Sequence, residues 1–89
     1  MRKSEFKEIV QEGINRGREF MAVKIRTDGN AGPEIIINGS ENFKQKLAYY
    51  DKAYNDDMEL IKAKEAGKLI TIEDVLVTNN FNDLSWFVY

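Results

Sequence analysis

Six large apolar residues, Phe43, Leu47, Tyr50, Tyr54, Met58 and Ile61, recur at spacings of 4, 3, 4, 4 and 3. A backbone turning about 100° per residue gathers them on one face. The opposite face carries Lys46, Asp51, Lys52, Asp56, Asp57, Glu59, Lys62 and Glu65. The spacing predicts one long helix, capped by Ser40, running to about Ala66 and closed by Gly67. The alternative is a break near Asn55, whose side chain would recap a second segment.

Upstream, Phe6, Ile9, Val10, Gly13 and Ile14 follow the same helical template, with Ser4 as an N-cap, Glu5 and Glu8 near the positive helix end, and Gly17 as the stop. From Phe20 to Thr27 the period changes. Met21, Val23 and Ile25 alternate with Ala22, Lys24 and Arg26, which is the pattern of a strand with one buried face. Residues Asp28 to Pro33 are dense in turn formers, and Glu34-Ile35-Ile36-Ile37-Asn38 reads as the return strand of a hairpin. Thr71-Ile72-Glu73-Asp74 resembles a capping box, with Ile70 and Val75 as a hydrophobic staple, and so favours a short helix over Ile72–Thr78. The competing reading is a strand through Leu69–Ile72 into Val75-Leu76-Val77. Leu84 to Tyr89, rich in aromatic residues, is expected to form a final strand beside the hairpin.

These elements describe a single α+β domain, residues 1–89: a small three-stranded antiparallel sheet with helices packed on one face, in the order α-β-β-α-α-β. The expected core is Phe6, Ile9, Val10, Ile14, Val23, Ile25, Ile35, Ile37, Phe43, Leu47, Tyr54, Met58, Ile61, Leu76 and Trp86.

Composition narrows the chemistry. Cysteine is absent, which removes disulfides, thiolate nucleophiles and thiolate metal sites, and suits a reducing cytoplasm. Histidine is absent too, so Ser–His and Cys–His triads are excluded, together with the commonest zinc ligand. The reading is therefore non-enzymatic. Net charge is −2, unevenly placed: 8 Lys and Arg stand against 7 Asp and Glu up to Gln45, and 5 against 8 from Lys46 onward. Mild acidity argues against direct nucleic-acid binding, which needs a basic patch. No apolar run approaches the ~20 residues of a membrane span, and Met1-Arg2-Lys3-Ser4 leads into charged helix, so neither membrane nor export is expected.

The most suggestive cluster is tyrosine set among carboxylates. Tyr50 and Tyr54 belong to the apolar face, whereas Tyr49, Asp51, Asp56, Asp57 and Glu59 turn to solvent. Those five form the candidate partner-binding set, because tyrosine offers contact area at low entropy cost and carboxylates meet Arg and Lys. The bland reading makes the same tyrosines core and the acids a solvated face. A metal at Asp56, Asp57 and Glu59 is disfavoured, since adjacent helical residues diverge, and no cofactor is expected. Gly29, Gly32 and Gly39-Ser40, with Lys24 and Arg26 nearby, suggest an anion site at a helix start, although no phosphate-loop or dinucleotide spacing is present. The terminal Phe81, Leu84, Trp86, Phe87, Val88 and Tyr89 cannot all share one strand face, so one set can support a homodimer through the C-terminal strand.

The stretch Ala48-Tyr49-Tyr50-Asp51-Lys52-Ala53-Tyr54-Asn55-Asp56-Asp57-Met58-Glu59-Leu60, followed by Ile70-Thr71-Ile72, resembles small proteins encoded by phages and mobile elements of low-GC Gram-positive bacteria. In those, a YYxxAYNDDxxL helix precedes a short Ile-rich segment. The likeness covers about the last half of the chain and carries no functional residues with it. It implies a context, that of a small acidic phage-type protein inhibiting or modulating a host or defence protein in the host cytoplasm. The α-β-β-α ordering is also loosely similar in shape to some anti-CRISPR proteins. On this reading the acidic face occupies a basic surface of the partner. The alternative is an oligomeric sponge for a nucleotide-type small molecule, motivated by the turn glycines, Lys24, Arg26 and the aromatic C-terminus.

Overall fold

The computed structural model describes residues 1–29 and 32–87. Helix α1 (Lys3–Asn15) leads to a hairpin of β1 (Phe20–Thr27) and β2 (Glu34–Gly39). A 3₁₀ turn over Ser40–Asn42 opens α2 (Phe43–Ala53), which is followed by α3 (Ile61–Glu65), β3 (Ile70–Thr78) and α4 (Asp83–Phe87). The sheet is antiparallel throughout, with strand order β2-β1-β3. The expected α+β architecture and its α-β-β-α-α-β order are therefore present, with α4 added at the end. Among the described residues no helix is long and apolar enough to cross a membrane.

Helix α1 starts two residues early, with Arg2 in extended backbone at its N-cap, so Ser4 lies inside the first turn and makes no cap bond. Gly17, at φ 69°, ends it as expected, and the Arg18 N–H reaches back to the Gly13 carbonyl at 3.0 Å. Ser40 likewise makes no cap bond; the 3₁₀ turn begins from Gly39 instead.

Helices α1 and α2 cover one face of the sheet. Phe6, Val10, Phe43 and Tyr50 from the helices meet Met21, Val23, Ile25, Ile72 and Val75 from the strands. Tyr54 and Met58 complete this core from the loop after α2. On the opposite face α4 sets Leu84 and Phe87 over Ala22, flanked by Phe20, Ile35 and Leu76.

Three segment assignments are corrected. The long helix breaks at Tyr54, whose backbone is extended (φ −114°, ψ 149°). The Asn55 side-chain oxygen accepts the N–H groups of Asp57 and Glu59, at 3.0 and 2.9 Å, which a continuous helix would direct to carbonyls four residues back. The chain then doubles back, and Met58, at φ 58°, still points into the core. The stripe is thus helical through Tyr50 and loop-borne at Tyr54 and Met58, while Ile61 lies exposed.

The second correction concerns Ile72–Thr78, which is strand. Val77 pairs with Met21, Val75 with Val23 and Ile72 with Ile25, and a bulge at Glu73 shifts the register between Lys24 and Ile25. The bulge places Ile72 and Val75 three residues apart on the same face, a helical spacing created inside a strand. The third is the C-terminal strand. Residues Asp83–Phe87 are helix, Leu84 and Phe87 are buried, Trp86 is 62% exposed, and Val88 and Tyr89 lie outside the described residues. The expected strand-mediated homodimer has no strand at residues 83–87 to use.

Of the expected core, Phe6, Val10, Val23, Ile25, Phe43, Tyr54 and Met58 are buried. Ile9, Ile14, Ile35, Leu47 and Leu76 are partly so, and Ile37, Ile61 and Trp86 are exposed.

Candidate functional site

Tyr49, Tyr50 and Tyr54 form a contiguous aromatic group at the C-terminal end of α2. Tyr50 meets Phe6 edge-on with centroids 5.2 Å apart, and Tyr49 lies 5.3 Å from Tyr50 and 6.4 Å from Tyr54. Edge-to-face packing of this kind stabilises beyond area burial alone. Burial pushes the Tyr54 phenol up to about 12, with smaller contributions from its two tyrosine neighbours. Burial also raises Tyr50. These two belong to the core. Tyr49 is 50% exposed and presents the outer side of the group to solvent.

The carboxylates of the candidate set are mostly engaged within the chain. Asp51 lies 3.6 Å from Lys3 and 3.4 Å from Lys7, and its carbonyl accepts the Lys3 ammonium at 2.6 Å. Asp57 pairs with Arg2 at 2.8 Å. The Asp56 carbonyl accepts the Lys3 backbone N–H at 2.9 Å, so this loop caps the start of α1. Glu59 accepts hydrogen bonds from Lys64 at 2.8 Å and from Asn55 Nδ2 at 2.9 Å. Both hold its carboxyl below the usual carboxylate range, Lys64 foremost. Of the four carboxylates of this set, Asp56 alone takes part in no ion pair among the described residues. Asp51 therefore ties α1 to α2 and Asp57 ties α1 to the loop that follows, whereas Glu59 ties that loop to α3.

What the spacing did not show is a groove beside Tyr49. Tyr49, Lys52 and Ala53 of α2 face Leu60, Ile61 and Lys62 across a largely apolar cleft of about 440 Å³. It exists because the chain reverses at Asn55 and lays α3 next to the end of α2. The Lys46 ammonium stands 5.8 Å from the centre of the Tyr49 ring, a cation–π approach. Lys46, Lys52 and Lys62 take part in no ion pair among the described residues. The signal available in the sequence was Tyr49 and Ala53 at i, i+4, but it becomes a groove only once the helix is broken.

The anion-site residues are not brought together. Phe20 pairs with Gly39 and Ile25 with Glu34, so Lys24 and Arg26 sit at the end of β1 remote from Ser40. Arg26 is bonded to Glu73, and the Lys24 ammonium lies 4.7 Å from the centre of the Phe87 ring. No group of three or more acidic side chains able to hold a metal ion occurs among the described residues.

Comparison with protein-family models, curated proteins and solved structures gave no match.

Proposed function

We propose that this chain is a small phage-type binding protein, an inhibitor or modulator of a host or defence protein, which docks through the groove beside Tyr49. The observation that carries the proposal is the groove itself: a half-exposed tyrosine and an exposed Ile61 flank a largely apolar cleft at the end of α2. Aromatic residues set in such clefts are the usual anchors of protein interfaces. The phage-type context rests on the resemblance carried by Ala48–Leu60 and Ile70-Thr71-Ile72.

The charge of the partner follows from which side chains are already paired. Asp51, Asp57 and Glu59 have cations of their own. The charges left around the groove are Lys46, Lys52 and Lys62. The occupant best matched is a partner segment that inserts an apolar side chain between carboxylates, so the support moves away from a basic partner surface.

Affinity capture from a Gram-positive lysate, followed by reconstitution with the purified partner, tests the proposal. Tyr49→Ala and Lys52→Glu/Lys62→Glu are each expected to weaken binding at least tenfold while Asp56→Lys leaves it unchanged. Undiminished binding by the folded groove variants would overturn the groove reading. Loss with Asp56→Lys alone would restore the acidic face.

A further inference from the structure

We infer that the free edge of β2 is a pairing surface for a second copy of this chain, joining two three-stranded sheets into one across a two-fold axis at Ile36.

The two edges of the sheet are treated differently. On β3 the residues after the Asn55 turn lie along the outer side: the Leu60 N–H donates to the Ile70 carbonyl at 2.8 Å and the Ile72 N–H to the Met58 carbonyl at 2.9 Å. The bulge at Glu73 and the charges of Glu73 and Asp74 interrupt the rest of that edge. Bulges, charges and covering segments are the devices by which sheets keep an edge from pairing.

Strand β2 carries a charge only at its first residue, Glu34, and has none of these devices at its centre. Among the described residues, no backbone hydrogen bond links Glu34–Asn38 to any element other than β1. Its centre is Ile35-Ile36-Ile37, without lysine, proline or bulge. Ile36, opposite Val23, lies on the helix-covered face and is 37% exposed. Ile37, opposite Ala22, lies on the other face and is 48% exposed. The edge is thus apolar on both sides.

The occupant is specified by the strand's own pattern. An antiparallel partner must place β-branched residues against Ile35, Ile36 and Ile37, and nothing negative against Glu34. A second β2 does so. With Ile36 facing its own counterpart, Ile35 faces Ile37 and Glu34 faces Asn38, so no like charges oppose. Directly paired residues share a face, so both helix layers fall on the same side of the joined sheet. On the other face, Ile35 and Ile37 of each copy extend the Ala22–Leu84–Phe87 cluster, which has three buried residues in one chain.

Sedimentation velocity over about 1 to 500 µM tests this, since a small isologous interface responds to concentration. The apparent mass is expected to rise from 10.3 kDa towards twice that value. Ile36→Lys/Ile37→Lys, with an unchanged circular dichroism spectrum, is expected to remain at the lower mass throughout. A wild-type chain at 10.3 kDa over the whole range overturns the inference, as does a folded double variant that dimerises like wild type. If the double variant does not fold, amide exchange on the wild type decides. Protection of β2 amides that rises at least tenfold with concentration supports the pairing, and protection independent of concentration overturns it.

Discussion

Asn55 and Glu59 are joined by three hydrogen bonds, each 2.9 Å long: backbone N–H to carbonyl, backbone N–H to side-chain oxygen, and side-chain amide to carboxylate. This closed loop ends α2 and turns Met58 inward. Asn55→Ala removes the oxygen that also takes the Asp57 N–H and leaves donors without partners. The expected loss is about 2 kcal/mol in urea unfolding. A loss below the scatter of an ordinary surface substitution would show that the turn forms without its side chain.

Gly13 lies against Val77, where a Cβ would overlap the valine Cγ1 and come 3.0 Å from its Cβ. Gly13→Ala is expected to destabilise by about 1–3 kcal/mol despite alanine's better helix propensity, because α1 cannot move off β3 without opening the core. Val77→Ala in the same chain should recover part of the loss. Additive effects of the two changes would mean that they do not touch.

The Tyr54 phenol holds its proton to about 12, above the ordinary value of 10.0. Between these values the folded chain binds more protons than the unfolded one, so stability falls as pH rises past about 10 and levels off above about 12. Thermal unfolding at a series of alkaline pH values should show that slope, and Tyr54→Phe should flatten it. An unaltered slope would assign the alkaline loss to other groups.

Phe87 and Trp86 separate the helical C-terminus from the expected strand. In a helix only Phe87 meets the sheet, so Phe87→Ala should cost about 3 kcal/mol and Trp86→Ala less than about 0.5 kcal/mol. The reverse ranking in chemical denaturation would argue for the alternating strand.

The parts of the fold read correctly from sequence are those whose signals are local. The first helix ends at Gly17 because glycine accepts φ 69°, and the hairpin follows from alternation at Met21, Val23 and Ile25. The segments misread are those where a loop or bulge imitates helical periodicity. Tyr54 and Met58 continue a helical stripe after the helix has ended, and the bulge at Glu73 sets Ile72 and Val75 three apart within a strand. The candidate site shows the same division. Tyr49 was visible as an exposed aromatic residue. The cations that hold Asp51 and Asp57, namely Arg2, Lys3 and Lys7, come from the first helix, and no local pattern connects them.

The strand order β2-β1-β3 bears on how the chain reaches this state. Strand β1 is close to β2 along the chain, whereas its β3 partners lie on the order of fifty residues away. Hairpin closure is quick, whereas the second ladder must await the placing of α2, the Asn55 turn and α3 between its two halves. Folding speed should therefore follow that distant closure, and substitutions along β1–β2, whose ladder is formed by then, should slow refolding by nearly their whole equilibrium cost.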